Sequence, residues 1–369
     1  MNPFKPKTTD DSSPEDKSVI GRNSFWSAPK FSLRRYILIA GGLLVLAGGI
    51  VLLAASPSTV SPTNCFSSPG SCGYPDPAYH NVGATSTCSS LTSEPNGYTA
   101  STAGETVQNM NITGSLTIAA PNVTVNNVCV TASGNSGNMA VWVDSNATNL
   151  LLEHSTFAGA SSSGNGVIDT GVWNAPNASG VTAEAIYITN AAEDWHGSGT
   201  LNDSYLQAGA TFSNNEGISH NEDVYLSDTT FSANHDTLLN STGQTAVLFG
   251  DNDGGGDNGP GDNHWTVTNS LWAGGGYTFY PQAGATSVGS SSMDIENNRI
   301  SNAYYPNIGY YGFMYPGETP VPPHVSSDQL CAGAGTKWTG NVLDSNNATI
   351  SCTGNIGAPG SGDGGGTTT

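Results

Sequence analysis

A chain of 369 residues with 47 glycines, 36% hydrophobic residues and only 10% charged ones favours turn-rich β structure over a helical domain. Seven of the nine bases precede residue 36, where only four of the 29 acids lie, so the remainder carries two bases against 25 acids, a net charge of −23. A surface so acidic repels polyanions, which excludes nucleic-acid binding through phosphate neutralisation.

Residues 1–35 are polar and charged and read as a disordered cytoplasmic tail. Residues 36–55, YILIAGGLLVLAGGIVLLAA, form an uncharged run of 20, about 30 Å as a helix and so matched to a bilayer core. The bases ahead of this run, against almost none behind it, place the N-terminus inside and the rest of the chain outside a single-pass membrane helix. Ala54, Ala55 and Ser56 leave one alternative, secretion after cleavage near residue 55. Residues 56–103, rich in Ser, Thr and Pro with three cysteines, are expected to form a stapled stalk or N-terminal cap. All six cysteines follow the apolar run, as an oxidising compartment requires. Six cysteines allow 15 pairings; closeness in sequence favours Cys65 with Cys72 and Cys331 with Cys352, leaving Cys88 for Cys129. No C-x-x-C pair occurs, which argues against zinc.

Between residues 104 and 355 a pattern recurs, apolar-x-apolar-x-Asn: V123-T-V-N-N127, I186-Y-I-T-N190, W265-T-V-T-N269 and M293-D-I-E-N297, with L150-L-L-E-H154 and degenerate copies at T200-L-N-D-S-Y and T230-F-S-A-N234. Each reads as a short strand ending at a bend. A second set, A140-V-W-V-D144, V167-I-D169, V224-Y-L226, A246-V-L-F-G250 and Y277-T-F-Y280, interleaves with it. Two strand families, one pair per turn, predict an all-β parallel solenoid. Asn suits the bend because it tolerates the left-handed conformation and its amide can bond to the same position one coil away. A β-sandwich would instead show longer alternating strands joined by hairpin turns.

The segments "DTTFSANHDTLLNSTGQTAVLFGD", "WTVTNSLWAGGGYTFYP" and "MDIENNRIS" resemble right-handed parallel β-helix repeat proteins of the pectate-lyase-like superfamily, bacterial secreted or surface members in particular, over about Gly104 to Asn355. The resemblance implies the fold and a polysaccharide or cell-surface glycan as partner. It leaves activity open, because that superfamily holds lyases, hydrolases, epimerases and proteins without catalysis. Its lyases use calcium and a basic proton abstractor, for which only Arg299 and Lys337 are available here, and the N-T-D, D-D, G-H-G and R-I-K marks of its polygalacturonases are missing.

Hydrolysis by paired carboxylates still needs only geometry. The runs "AEDWH", "SHNEDVY", "NHD" and "FGD" supply Asp194, His220, Asp223, His235 and Asp236 as candidate catalytic residues, with Asp194, Asp223 and Asp251 expected on neighbouring coils along one edge. Carboxyls stacked in this way raise one another's pKa. Trp195, Tyr305, Tyr310 and Tyr311 are the candidate sugar platforms. The stretch "FGDNDGGGDNGPGDNHW" places Asp251, Asp253, Asp257 and Asp262 among glycines; it lacks the closing Glu and helices of an EF-hand, so it reads as an inter-coil loop, and calcium is the one cofactor it would accept. The expected protein is a membrane-anchored, monomeric, extracellular β-helix that engages polysaccharide and cleaves it, or binds it as a non-catalytic adhesin, or serves as a structural surface spacer.

Overall fold

A computed structural model describes residues 64–214, 217–227, 229–251, 263–282, 291–315 and 325–357. The predicted membrane span at 36–55 lies outside them, and among the described residues no helix is long and apolar enough to cross a membrane.

The described chain winds as a solenoid of three parallel sheets, with ten, nine and nine strands. Each turn lays one short strand in each sheet in fixed order. In one coil, Tyr187–Thr189 enters the first sheet, Ala191–His196 the second and Gly199–Asn202 the third, before Tyr205–Gln207 starts the next coil above Tyr187–Thr189. The sequence therefore carries three strand families where two are legible. First-sheet strands such as Cys129–Ala132 begin only two residues after the third-sheet strand Thr124–Asn126, so the pair reads as one run.

Alternation explains the core. Third-sheet strands present one central apolar residue inward, and Val107, Val125, Leu152, Ala183, Leu201, Ala233, Val267 and Ile295 stack in register, all buried. Second-sheet residues Val141, Val172, Trp195, Val224, Leu248 and Phe279 form the facing column, also fully buried. Coils about 4.8 Å apart make each such column a continuous stripe of buried apolar surface.

The corner from the third sheet to the first is left-handed in every one of these coils. Asn109, Asn127, His154, Ala185, Asp203, His235, Asn269 and Asn297 hold φ between 45° and 61° there. Two of the sequence copies shift. Asn190 bends the chain between the first and second sheets instead, and Asn234 ends its strand while His235 takes the corner. An amide ladder through the left-handed residue itself exists at Asn127, whose Nδ2 donates to Asn109 Oδ1 at 2.7 Å. Elsewhere the next residue does this work: Ser155, Ser204, Asp236, Ser270, Asn298 and Asn341 each accept the backbone N–H of the coil below at 2.8–3.1 Å.

Residues 64–91 belong to the segment expected to form a stalk or N-terminal cap. They form a strap across the outside of the first sheet, running against the winding direction. Asn64, Cys65 and Phe66 donate to Asp344 near the last coil. Thr237 Oγ1 donates to the Pro75 carbonyl, Gly83 N to Ala185 O and Ser86 N to Asn127 Oδ1, and the strap ends at the Cys88–Cys129 disulfide. Phe66 and Val82 pack on Tyr187, Tyr205, Leu239, Ala273 and Tyr304 beneath it. Cys65–Cys72 and Cys331–Cys352 complete the pairing expected from spacing. Near the C-terminus Gly357 N bonds back to Thr349 O.

Candidate functional site

The strap covers the first sheet, and the third sheet offers a short-chained outer face on which Thr124, Leu151, Thr182, Thr200, Ser232 and Thr266 stand in register. The second sheet differs. Its outer face carries an aromatic column, Trp142, Trp173, His196, Tyr225, Phe249 and Tyr280, one ring per coil. Ring centroids lie 4.2, 5.6, 4.5, 5.3 and 5.0 Å apart in that order, and Tyr315 extends the column at 3.8 Å from Tyr280. In-register parallel strands impose the spacing, which matches the separation at which aromatic rings attract one another.

The rings are not parallel throughout. Trp142 on Trp173 and His196 on Tyr225 are stacked, at 22° and 12°, whereas Phe249 tilts 41° and 47° from its neighbours. Stacked rings spend their faces on each other, so the column offers solvent a ridge of edges, ring N–H and hydroxyl groups, with Phe249 buried between its neighbours. At its lower end Trp142 lies in register with Thr117, whose side chain is too short to cover an indole. At its upper end Tyr277, Tyr311, Tyr310, Tyr305 and Tyr304 continue as a chain of ring contacts. Of the three tyrosines expected to face a sugar, Tyr310 and Tyr311 are exposed, and Tyr305 is half-buried with its hydroxyl donating to Ser241 O at 3.0 Å. Trp195 is a correction: it is fully buried, packed on Phe231, and its Nε1 donates to Gly197 O. The outward residue is its neighbour His196.

Carboxyls flank the column. Glu193 Oε2 lies 2.9 Å from His196 Nδ1. In register with Glu193, one coil up, is Glu222, wholly buried; burial first, then the Glu193 charge, pushes its carboxyl well above the usual range. Burial also raises Asp169, which accepts from Gly137 N at 2.6 Å. On the other flank Tyr225 donates to Asp251 Oδ2 at 2.7 Å.

The candidate catalytic set separates. Asp194 and Asp223 do meet, on adjacent coils, but inside the corner between the first two sheets, where both are fully buried. Burial drives both carboxyls far up, and the Asp223 charge raises Asp194 further. Asp223 also accepts from Ala208 N at 3.1 Å. Asp251 is not beside them: Ala246 and Leu248 pair with Glu222 and Val224, which puts Val247 above Asp223 and Asp251 beside Ser227. Asp236 is buried in the corner ladder and is pushed up by that burial. His235 holds Asp203 Oδ1 at 2.5 Å and stacks on Tyr74 of the strap. His220 is exposed, with Nδ1 4.0 Å from Glu222 Oε1. Of the four candidate calcium ligands, Asp253, Asp257 and Asp262 lie outside the described residues; among those described, no three His, Cys, Asp or Glu are grouped to hold a metal ion.

Among the described residues no Lys or Arg lies on this face. Arg299 is buried against Asp344 and Asn347, and Lys337 is paired with Glu296 and Asp294 on the third sheet. Sequence reading missed Trp142, Trp173, Tyr225, Phe249 and Tyr280 as a group, although four of the five stand in second-family runs, "AVWVD", "VYL", "AVLFG" and "YTFY", and Trp173 lies four residues beyond V167-I-D169. No family model, curated protein or solved structure matches the chain.

Proposed function

We propose that this chain is a right-handed parallel β-helix of pectate-lyase-like type, anchored in the cell membrane through residues 36–55, whose second-sheet face binds a neutral polysaccharide outside the cell. The observation that carries this reading is the aromatic column. Sugars present apolar C–H surfaces rimmed by hydroxyls, and an aromatic ridge bordered by carboxyl, hydroxyl and amide groups complements both. Six steps of about 4.8 Å make it long enough for an oligosaccharide. The lack of free cations there among the described residues favours a neutral chain over a uronate.

Full-length protein in lipid nanodiscs, titrated with a panel of neutral oligosaccharides, is expected to bind at least one, and Trp173→Ala or Tyr225→Ala should weaken that binding about tenfold or more. Wild-type protein that binds none, or folded variants with undiminished affinity, would overturn the reading. The anchor is checked separately: alkaline carbonate should leave the protein in the membrane fraction and release it once residues 36–55 are deleted.

Cleavage of the bound chain is the second reading, supported by Glu193 and Glu222 in register beside the column. A pair of carboxyls is what glycoside hydrolysis requires, and burial raises the Glu222 carboxyl above the usual range. Release of reducing ends that disappears in Glu193→Gln would establish a hydrolase. Binding without such release leaves an adhesin.

A further inference from the structure

A cavity of about 210 Å³ opens where the column meets the corner between the second and third sheets, lined by Asn174, Pro176, His196, Ser198, Ser227 and Thr229 among others. Its position follows from the winding. Asn174 ends the strand Ile168–Asn174 and His196 ends Ala191–His196 one coil above, while Gly197 turns the chain at φ 89°. A Cβ on Gly197 would stand 2.9 Å from the Asn174 carbonyl oxygen and 3.2 Å from the Asn174 Cβ, so the glycine lets the two coils close on each other here.

Asn174 forms part of the cavity wall. Asn174 is 2% exposed, and its Nδ2 donates to Ser198 O at 3.0 Å, which settles which way the amide faces. Its Oδ1 is buried and accepts nothing. A buried acceptor without a donor is costly and rare in a folded protein. A group supplying an O–H here would relieve that cost, and the rest of the lining is of the same kind: hydroxyls from Ser198, Ser227 and Thr229, an apolar patch from Ala175 and Pro176, and, among the described residues, no Asp, Glu, Lys or Arg. His196, whose Nδ1 is engaged by Glu193, belongs at once to this cavity and to the aromatic column.

We infer that this cavity is a specificity subsite that takes a single neutral pyranose unit, a side branch or chain end of the polysaccharide on the ridge, with a sugar hydroxyl donating to Asn174 Oδ1. The inference rests on the ridge reading and deepens it. The column tolerates any sugar with an apolar face, whereas the cavity selects by the position of a hydroxyl. A site built to hydrogen-bond a hydroxyl discriminates strongly against analogues that misplace it.

The test compares full-length wild type with Asn174→Ala, Ser227→Ala and Trp173→Ala, each shown folded by its unfolding temperature. The probes are gluco-, galacto-, manno- and N-acetylglucosamine oligosaccharides of equal length, measured by calorimetry. Wild type is expected to prefer one series by about tenfold or more. Asn174→Ala should flatten that preference by lowering the favoured series alone, and Ser227→Ala should flatten it in part. Trp173→Ala should lower all series together and keep their order. If Asn174→Ala fails to fold, Ser227→Ala with Thr229→Val decides on the same criterion. Preference unchanged in the cavity variants, with binding still lost in Trp173→Ala, overturns the subsite and leaves the ridge standing. Absence of all binding in wild type removes both.

Discussion

Asp236 occupies a column otherwise filled by Ser155, Ser204, Ser270, Asn298 and Asn341, where the side chain's task is to accept a backbone N–H from the coil below. It performs that task for Ser204 with Oδ1, but its Oδ2 is buried without a partner and burial raises its carboxyl well above the usual range. A carboxyl whose folded-state pKa is raised holds its proton more tightly when folded. Stability is then greatest below the unfolded value near 4 and falls as pH rises toward the folded one. Asp236→Asn keeps the acceptor, as Asn298 does for Ser270 at 2.9 Å, and removes the ionisation. We therefore expect the variant to unfold at a higher temperature than wild type at pH 7, with a smaller loss of stability between pH 4 and 7, measured by thermal denaturation across that range. The variant retains some slope, because Asp194, Asp223 and Glu222 are raised by the same burial. At this scale strict alternation misleads. Glu193 and His196 face outward together while Asp194 and Trp195 are both buried between them, so the tryptophan that looked like a sugar platform is core, and the histidine beside it lies on the ridge.

Among elements, the third-sheet strands were legible because three signals coincide: a central apolar residue, polar neighbours, and a residue able to adopt the left-handed corner. First-sheet strands, Tyr187–Thr189 apart, were not, since only two residues separate them from the strand before. The strap was seen only as a Ser-, Thr- and Pro-rich segment with cysteines, because its partners, Asp344, Thr237, Ala185 and Asn127, are scattered through the chain. Its closure is nonetheless testable. Cys88–Cys129 spans 41 residues and Cys65–Cys72 spans seven. Loop-closure entropy assigns them about 4 and about 2 kcal/mol. Replacing Cys88 and Cys129 by Ser should therefore lower the urea midpoint more than replacing Cys65 and Cys72. It should also speed amide exchange at Ser86, whose N–H is held by Asn127 Oδ1, before it affects the core strands. Equal effects of the two pairs would show that the strap does not depend on its covalent end.

For the whole molecule, charge and winding set different things. The chain beyond residue 35 carries a net −23, so polygalacturonate should fail to bind at low salt. The neutral ligand should change affinity by less than about twofold as salt rises, since screening acts on exposed charge and little on ring contacts. Uronate binding that strengthens as salt falls would contradict this. Composition and period alone determined that the chain is β-rich and acidic, that it stacks repeating turns, and how its cysteines pair, because glycine content, alternation and spacing are local quantities that survive without a fold. The outward face each strand presents was decided only by tertiary structure. A shift of one residue in a strand exchanges inside for outside, and the register between coils depends on loops whose lengths follow no fixed period. Hence Asp194 and Asp223 meet inside the solenoid while Asp251 stands apart, and six rings from six distant runs line up on one side.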